Sequence, residues 1–178
     1  MCNPRSFRAV IEHFQRNGWD FDIDRSRPII LTRFKGQNGN FECVIALEDS
    51  DQLLHVVSIT PLTVPQHKRA SVGEFCVRFS HKVKMGRFDL NYESGQFSFH
   101  TYSYYPGDLS DELILRVLGT NLITVDHQFP LIIRVVYGDL TPAEAVNVHN
   151  CSLSKINEVG FQRINLSPVV PVNSSQNK

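Results

Sequence analysis

Apolar positions recur at two periods along this chain, and the changes between them mark its elements. Phe7, Val10, Ile11 and Phe14 stand three and four residues apart, the spacing of one helical face, with Pro4 suited to the first turn and Gly18 to the end. Beyond "WDFDIDRSR" the period falls to two. The stretch "PIILTRFKGQNGNFECVIALEDSDQLLHVVSIT" reads as three β-runs divided by Asn38-Gly39 and by the polar "EDSDQ", which predicts a three-stranded antiparallel meander. In its second run Phe41, Cys43, Ile45 and Leu47 alternate with Glu42, Val44 and Ala46, so one sheet face is apolar and should carry helices while the other is mixed.

The segment "PLTVPQHKRASVGEF" returns to the helical period. Thr63 and Gln66 have the spacing of a capping box and Pro65 suits a first turn, so a second helix should start here, carry Val72, Phe75, Cys76, Phe79 and Val83, and stop at Gly86. Strands resume in "RFDLNYESGQFSFHTYSYY", with Ser94-Gly95 as the hairpin turn. Ser110 and the acidic residues behind it open a third helix on Ile114, Val117, Leu118 and Val125. Pro130 should kink or break it, with "LIIRVVYG" following as a second helical piece or, less favoured, a strand. Pro142 sits in the first turn of a short helix in "TPAEAV". The order helix, three strands, helix, two strands, helix is an α+β arrangement with an antiparallel sheet. We divide the chain into a domain over residues 1–148 and a polar, flexible C-terminal tail over 149–178, which lacks any sustained period.

Charge and composition narrow the function. The 178 residues, 42% of them hydrophobic, suffice for one domain with a core. Lys+Arg and Asp+Glu each total 18, so the general positive field that holds phosphate backbones is missing and nucleic acid is not expected as a partner. The longest apolar run is broken by Arg134 and is too short for a membrane span. The N-terminal "MCNPRSFRAVIEHFQ" has no apolar secretory core, so a cytoplasmic setting is expected. Cys2, Cys43, Cys76 and Cys151 are far apart, and histidines such as His13, His55, His81 and His100 are scattered without the four-residue pairing of a helical metal site. No nucleophile or phosphate-loop motif is present, and Asp126 and His127, adjacent on a helix, point about 100° apart. No cofactor, no metal and no enzyme activity are expected.

Polar residues in apolar places supply the candidate site. Lys68 falls in the same helical arc as Val72, Phe75 and Phe79, Arg69 lies at its edge, and Asn121 stands within the stripe of the third helix. A lysine there either snorkels to water or serves a site, and a buried asparagine either bonds backbone or reads a ligand. Alternation places Phe97, Phe99 and Thr101 on one strand face and Ser98, His100 and Tyr102 on the other, so Tyr102 and Tyr104 form a binding surface if that second face is open.

Taken in order, "GQNGNFEC", "PLTVPQHKRASVGEF", "MGRFDLNYESGQFSF" and "NLITVDHQFPLIIRVVYG" resemble the bacterial YbjN family over residues 4–146. Ser80, Arg87 and Asn91 stand where the family pattern often carries asparagine, asparagine and aspartate, a mark of a divergent branch. The resemblance implies a type III secretion chaperone-like fold, a sheet flanked by helices that binds other proteins, often as a homodimer, without a catalytic centre or cofactor. The expected function is therefore a protein-binding module with a chaperone-like or regulatory role. The alternatives are a small-anion-binding regulator using Lys68 and Arg69 at the second helix start and, behind it, a small hydrolase.

Overall fold

Helix α1 (Arg5–Arg16) buries Phe7, Val10 and Phe14 and ends before Gly18, whose φ of +65° only glycine adopts without strain. A two-residue strand β1 (Asp22–Ile23), not foreseen from the sequence, precedes the meander of β2 (Ile29–Lys35), β3 (Asn40–Glu48) and β4 (Leu53–Thr63). A 3₁₀ turn (Gln66–Lys68) leads into α2 (Arg69–Ser80); β5 (Arg87–Leu90) and β6 (Gln96–Tyr104) form a hairpin; α3 (Asp111–Tyr137) and a helix over 142–148, α4, follow. This computed structural model describes residues 5–24, 26–48, 50–148 and the short strand β7 (Ser167–Pro168). The remainder of the expected 149–178 tail lies outside the described residues.

All strand pairs are antiparallel, in the order β1-β2-β3-β4-β6-β5, and β7 pairs with β2 beside β1. Among the described residues the helices pack on one face only. Near α1 and the first half of α3 the core gathers Phe14, Ile30, Ile45, Val56 and Leu118; near α2, α4 and the second half of α3 it gathers Phe75, Phe79, Phe88, Phe99 and Val136.

Three expectations need correction. Thr63 and Gln66 form no capping box, because Thr63 is still a β4 residue paired with Gln96, and α2 starts without a side-chain cap. The reciprocal box is at α4: Glu144 Oε2 accepts from the Thr141 N–H at 2.9 Å, and Thr141 Oγ1 accepts from the Glu144 N–H at 3.3 Å. Helix α2 stops at Ser80, ahead of Gly86, which instead turns into β5 at φ +89°. Nor does Pro130 break α3, which runs unbroken for 27 residues. Pro130 lies on the solvent side of that helix, where a carbonyl deprived of its amide partner can bond water, while Val125, Ile132 and Val135 hold the inner side.

Asn121 is fully buried where α3 crosses the central strands. Three acceptors surround its Nδ2, each at 3.1 Å: the carbonyls of Val56 and Phe99 and Thr101 Oγ1, so that its two N–H groups serve all three with one of them shared, and its Oδ1 accepts from Ser58 Oγ. With the Ser58 proton so used, Cys43 Sγ, 3.0 Å away, must donate to Ser58; burial pushes this thiol up to about 12, so the proton stays in place. Thr101 Oγ1 donates onward to the Val117 carbonyl at 3.3 Å. Asn121→Ala strips several buried groups of partners and opens a cavity, so a loss of about 3 kcal/mol is expected in urea unfolding. A loss below about 1 kcal/mol would show the network to be dispensable.

Candidate functional site

Because side chains alternate along each strand, the helix-free face carries the other half of every strand. The registers set these residues in rows. One row runs Asp22, Leu31, Val44, Val57, His100, Arg87, and its neighbour runs Arg33, Glu42, Ile59, Ser98, Asp89. The half built on β2, β3 and β4 is apolar at Leu31, Val44, Val57 and Ile59, and Leu31 is 43% exposed. Asp20, Phe21 and Asp22 border it, and the resulting depression of about 490 Å³ is lined by Leu31, Arg33, Val44 and Ile59 among others. Arg33 and Glu42 pair at its rim, 3.3 Å apart.

The half built on β4, β5 and β6 is titratable. Nε2 of His55 and Nδ1 of His100 are 3.1 Å apart; Nε2 of His100 lies 2.9 Å from Ser98 Oγ and 3.5 Å from Asp89 Oδ2. A carboxylate only accepts, so it favours the proton on Nε2 of His100, which leaves Nδ1 as acceptor and His55 as donor. Arg87 Nε binds Asp89 at 3.1 Å, and its guanidinium lies 5.8 Å from the centre of the Tyr102 ring. Burial holds both imidazoles below the ordinary value of 6.5, with Arg87 acting in the same direction on each. Ser98, His100 and Asp89 are not a nucleophilic triad. Serine and carboxylate reach the same ring nitrogen, whereas a triad needs them on opposite ones.

The structure separates the sequence-predicted residues. Tyr102 and Tyr104 are on the open face, 44% and 70% exposed. Asn121 is on the opposite side of the sheet, wholly inside the core. Arg69 is a staple: its Nε donates to the Val64 carbonyl at 3.2 Å and its Nη1 to the carbonyls of Tyr92 and Glu93 at 2.5 and 3.2 Å, tying the α2 start to the β5–β6 turn. In that turn Gly95, at φ +78°, lets the Val64 carbonyl approach where a Cβ would stand. Lys68 Nζ reaches the Val135 carbonyl at 3.5 Å, in the last turn of α3, where the helix dipole favours a cation. Asp126, set aside as no dyad, binds the β2–β3 turn: its carboxylate accepts from the Gln37 and Asn38 N–H groups at 3.0 and 2.7 Å.

Sequence reasoning missed the His55–His100 pair, having read the histidines as scattered singles. The rings meet only because Val57 lies opposite His100 and Tyr102 opposite His55, a register that the period of each strand alone does not reveal. Among the described residues, no group of three or more His, Cys, Asp or Glu is arranged to hold a metal ion, and no helix is long and apolar enough to cross a membrane.

Residues 6–134 match the model of the YbjN family, described as "Putative bacterial sensory transduction regulator". A crystal structure of YbjN from E. coli, described as "a putative transcription regulator", superposes with a TM-score of 0.53 at 8% identity, covering 81% of this chain and 92% of that one. At that identity the likeness concerns the fold. No curated protein matches the sequence.

Two predictions follow from these contacts. Arg69→Met, which frees three carbonyls, should cost about 1–3 kcal/mol in urea unfolding, while Lys68→Met should change stability by less than about 1 kcal/mol. An equal cost for both would contradict the staple. For the histidines, the unfolded chain binds protons before the folded one does, because both folded values are lowered. Their stabilising share is complete above about 6.5 and is lost as the pH falls through the folded values. The urea midpoint should therefore drop between about pH 7.5 and pH 5, less steeply in His100→Phe, and ring resonances of His55 and His100 should titrate below 6.5.

Proposed function

The chain belongs to the YbjN family, and from that premise we propose that it is a non-catalytic regulator that works by binding another protein, in a chaperone-like manner, on the open face of its sheet. The observation that carries this reading is the strip Leu31, Val44, Val57 and Ile59, which no described helix covers, flanked by Tyr102 and Tyr104, on a sheet whose described helices all lie on the other side. Apolar area with tyrosines at its margin is the composition of protein-binding surfaces. The client presents a complementary apolar patch, with polar groups that face the Arg33–Glu42 pair at the rim of the strip. A homodimer through the outer edge of β5, where the strand order ends, is compatible with this use of the face. Free, buried Cys43 and half-buried Cys76 fit a reducing cytoplasmic setting.

Anion binding at the α2 start has less support. Arg69 already donates to three carbonyls and Lys68 faces the end of α3, so neither cation is aimed at a vacant locus.

The reading is tested by a photo-crosslinking residue placed at Val57 and, as control, at Val77, which is 64% exposed on α2. The expected result is a reproducible protein adduct from Val57 that Ile59→Asp abolishes without lowering the melting temperature. Adducts from Val77 alone, or capture indifferent to Ile59→Asp, would exclude the open face. Light scattering on the same protein measures whether the chain is a dimer.

A further inference from the structure

An occupant of the apolar strip cannot avoid the histidine pair. His55 precedes Val57 at the same-face spacing of β4, about 7 Å along the strand, and its cross-strand neighbours are Ala46 on β3 and Tyr102 on β6. Resting on the docking reading above, we propose that His55 is the proton gate of the open face: with its ring neutral an apolar client settles over the strip, and one proton taken up at its Nδ1 releases that client.

The hydrogen bonds decide where that proton enters. Ser98 Oγ and Asp89 Oδ2 both lie on the Nε2 side of His100, at 2.9 and 3.5 Å, and keep the proton on that nitrogen. Nδ1 of His100 is then the acceptor of the 3.1 Å bond from Nε2 of His55. One ring nitrogen of the pair still has a lone pair to offer: Nδ1 of His55 bonds no described group and is not sealed from water. A proton added there makes the bond between the rings charge-assisted and leaves the pair intact. A proton added at Nδ1 of His100 would break that bond. Asp89, Ser98 and His100 are therefore positioning residues, and His55 is the ring that changes charge first.

The surroundings act in both directions. Burial favours the neutral form of His55 and Arg87 on β5 adds to it, while Glu48 at the end of β3 and Asp89 on β5 favour the charged form. Tyr102 meets the ring edge-on, with centroids 6.2 Å apart. No described helix packs on this face, so these groups and His100 complete the titratable and charged surroundings of the ring. A client lying over Val57 takes water from Nδ1 of His55 and replaces it with apolar surface, which accepts no hydrogen bond from a charged ring. Above the folded value the ring is neutral and docking expels no proton. Below it each docking event expels one, and affinity falls about tenfold per pH unit.

The test reads both halves of the proposal in the full chain. Nitrogen-15 resonances of the two rings, followed from about pH 8 to about pH 4.5, should show Nδ1 of His55 gaining the first proton while Nδ1 of His100 remains an acceptor until lower pH. A first proton on His100, or half-protonation of both rings at one pH, would overturn the gate. The photo-crosslinking residue at Val57 then reports docking at about pH 7.5 and about pH 5.5. The expected ratio of adduct yields between the two is about fivefold or more in the native chain and below about twofold in His55→Phe and in His55→Gln, with circular dichroism showing each variant folded at both values. The variants share the client's own response to pH and differ only at the ring. A native ratio near one, or a ratio that persists in both variants, overturns the gate and leaves the docking reading in place. Absence of any Val57 adduct at about pH 7.5 removes the docking reading and the release that rests on it, whatever the ring resonances show.

Discussion

The seating of α3 on the sheet depends on one buried amide. Asn121 reaches β4 through the Val56 carbonyl and Ser58, β6 through the Phe99 carbonyl and Thr101, and β3 through Ser58 and Cys43. A leucine at that place would pack acceptably at several rotations and translations of the helix. The amide is satisfied at one, because each donor and acceptor shifted out of reach costs about 1–3 kcal/mol inside the core. The same geometry assigns the protons: two carbonyls fix the orientation of the amide, the amide fixes the hydroxyl, and the hydroxyl fixes the thiol.

With α3 so seated, the remaining contacts fall into order. Asp126, on the same helix, meets the amides of the β2–β3 turn. Asp111, at its start, holds Arg16 at 2.7 Å and His13 at 2.9 Å on α1. Lys68 meets its last turn, and α2 is then clamped to the β5–β6 hairpin by Arg69. Every described helix is drawn to one side. The bare face is thus a consequence of where the polar anchors lie, as much as of which strand residues are apolar.

This explains which features were legible in the sequence. The helical stripe of Val72, Phe75 and Phe79 and the alternation of Phe41, Cys43, Ile45 and Leu47 are local periodicities, and both are buried as their spacing requires. Asn121 announced itself by breaking its stripe, although its partners come from segments 20 to 65 residues away and were not readable. The capping signal at Thr63 misled because the same residue also completes a strand, and pairing with Gln96 takes precedence over the helix mouth. Pro130 misled because its effect depends on which side of the helix faces water. The histidine pair stayed hidden for a different reason: each ring belongs to a strand of ordinary pattern, and only the register joins them.

That pair lies beside the apolar strip, so the two halves of the open face are thermodynamically linked. Burial already favours the neutral rings, and the single N–H between Nε2 of His55 and Nδ1 of His100 suits a pair carrying at most one added proton. A second proton would set two N–H groups against each other. A protein docked over the face removes further water from both rings, which makes the charged forms costlier still. Proton uptake and docking then oppose each other by the same free energy, whichever is taken as the cause. Arg87 and Asp89 moderate that opposition without cancelling it: the carboxylate favours a charged His100, the guanidinium disfavours it, and the two are bound to each other at 3.1 Å. The face therefore combines a half that gains from desolvation at any pH with a half whose cost of desolvation rises as the solution becomes acidic.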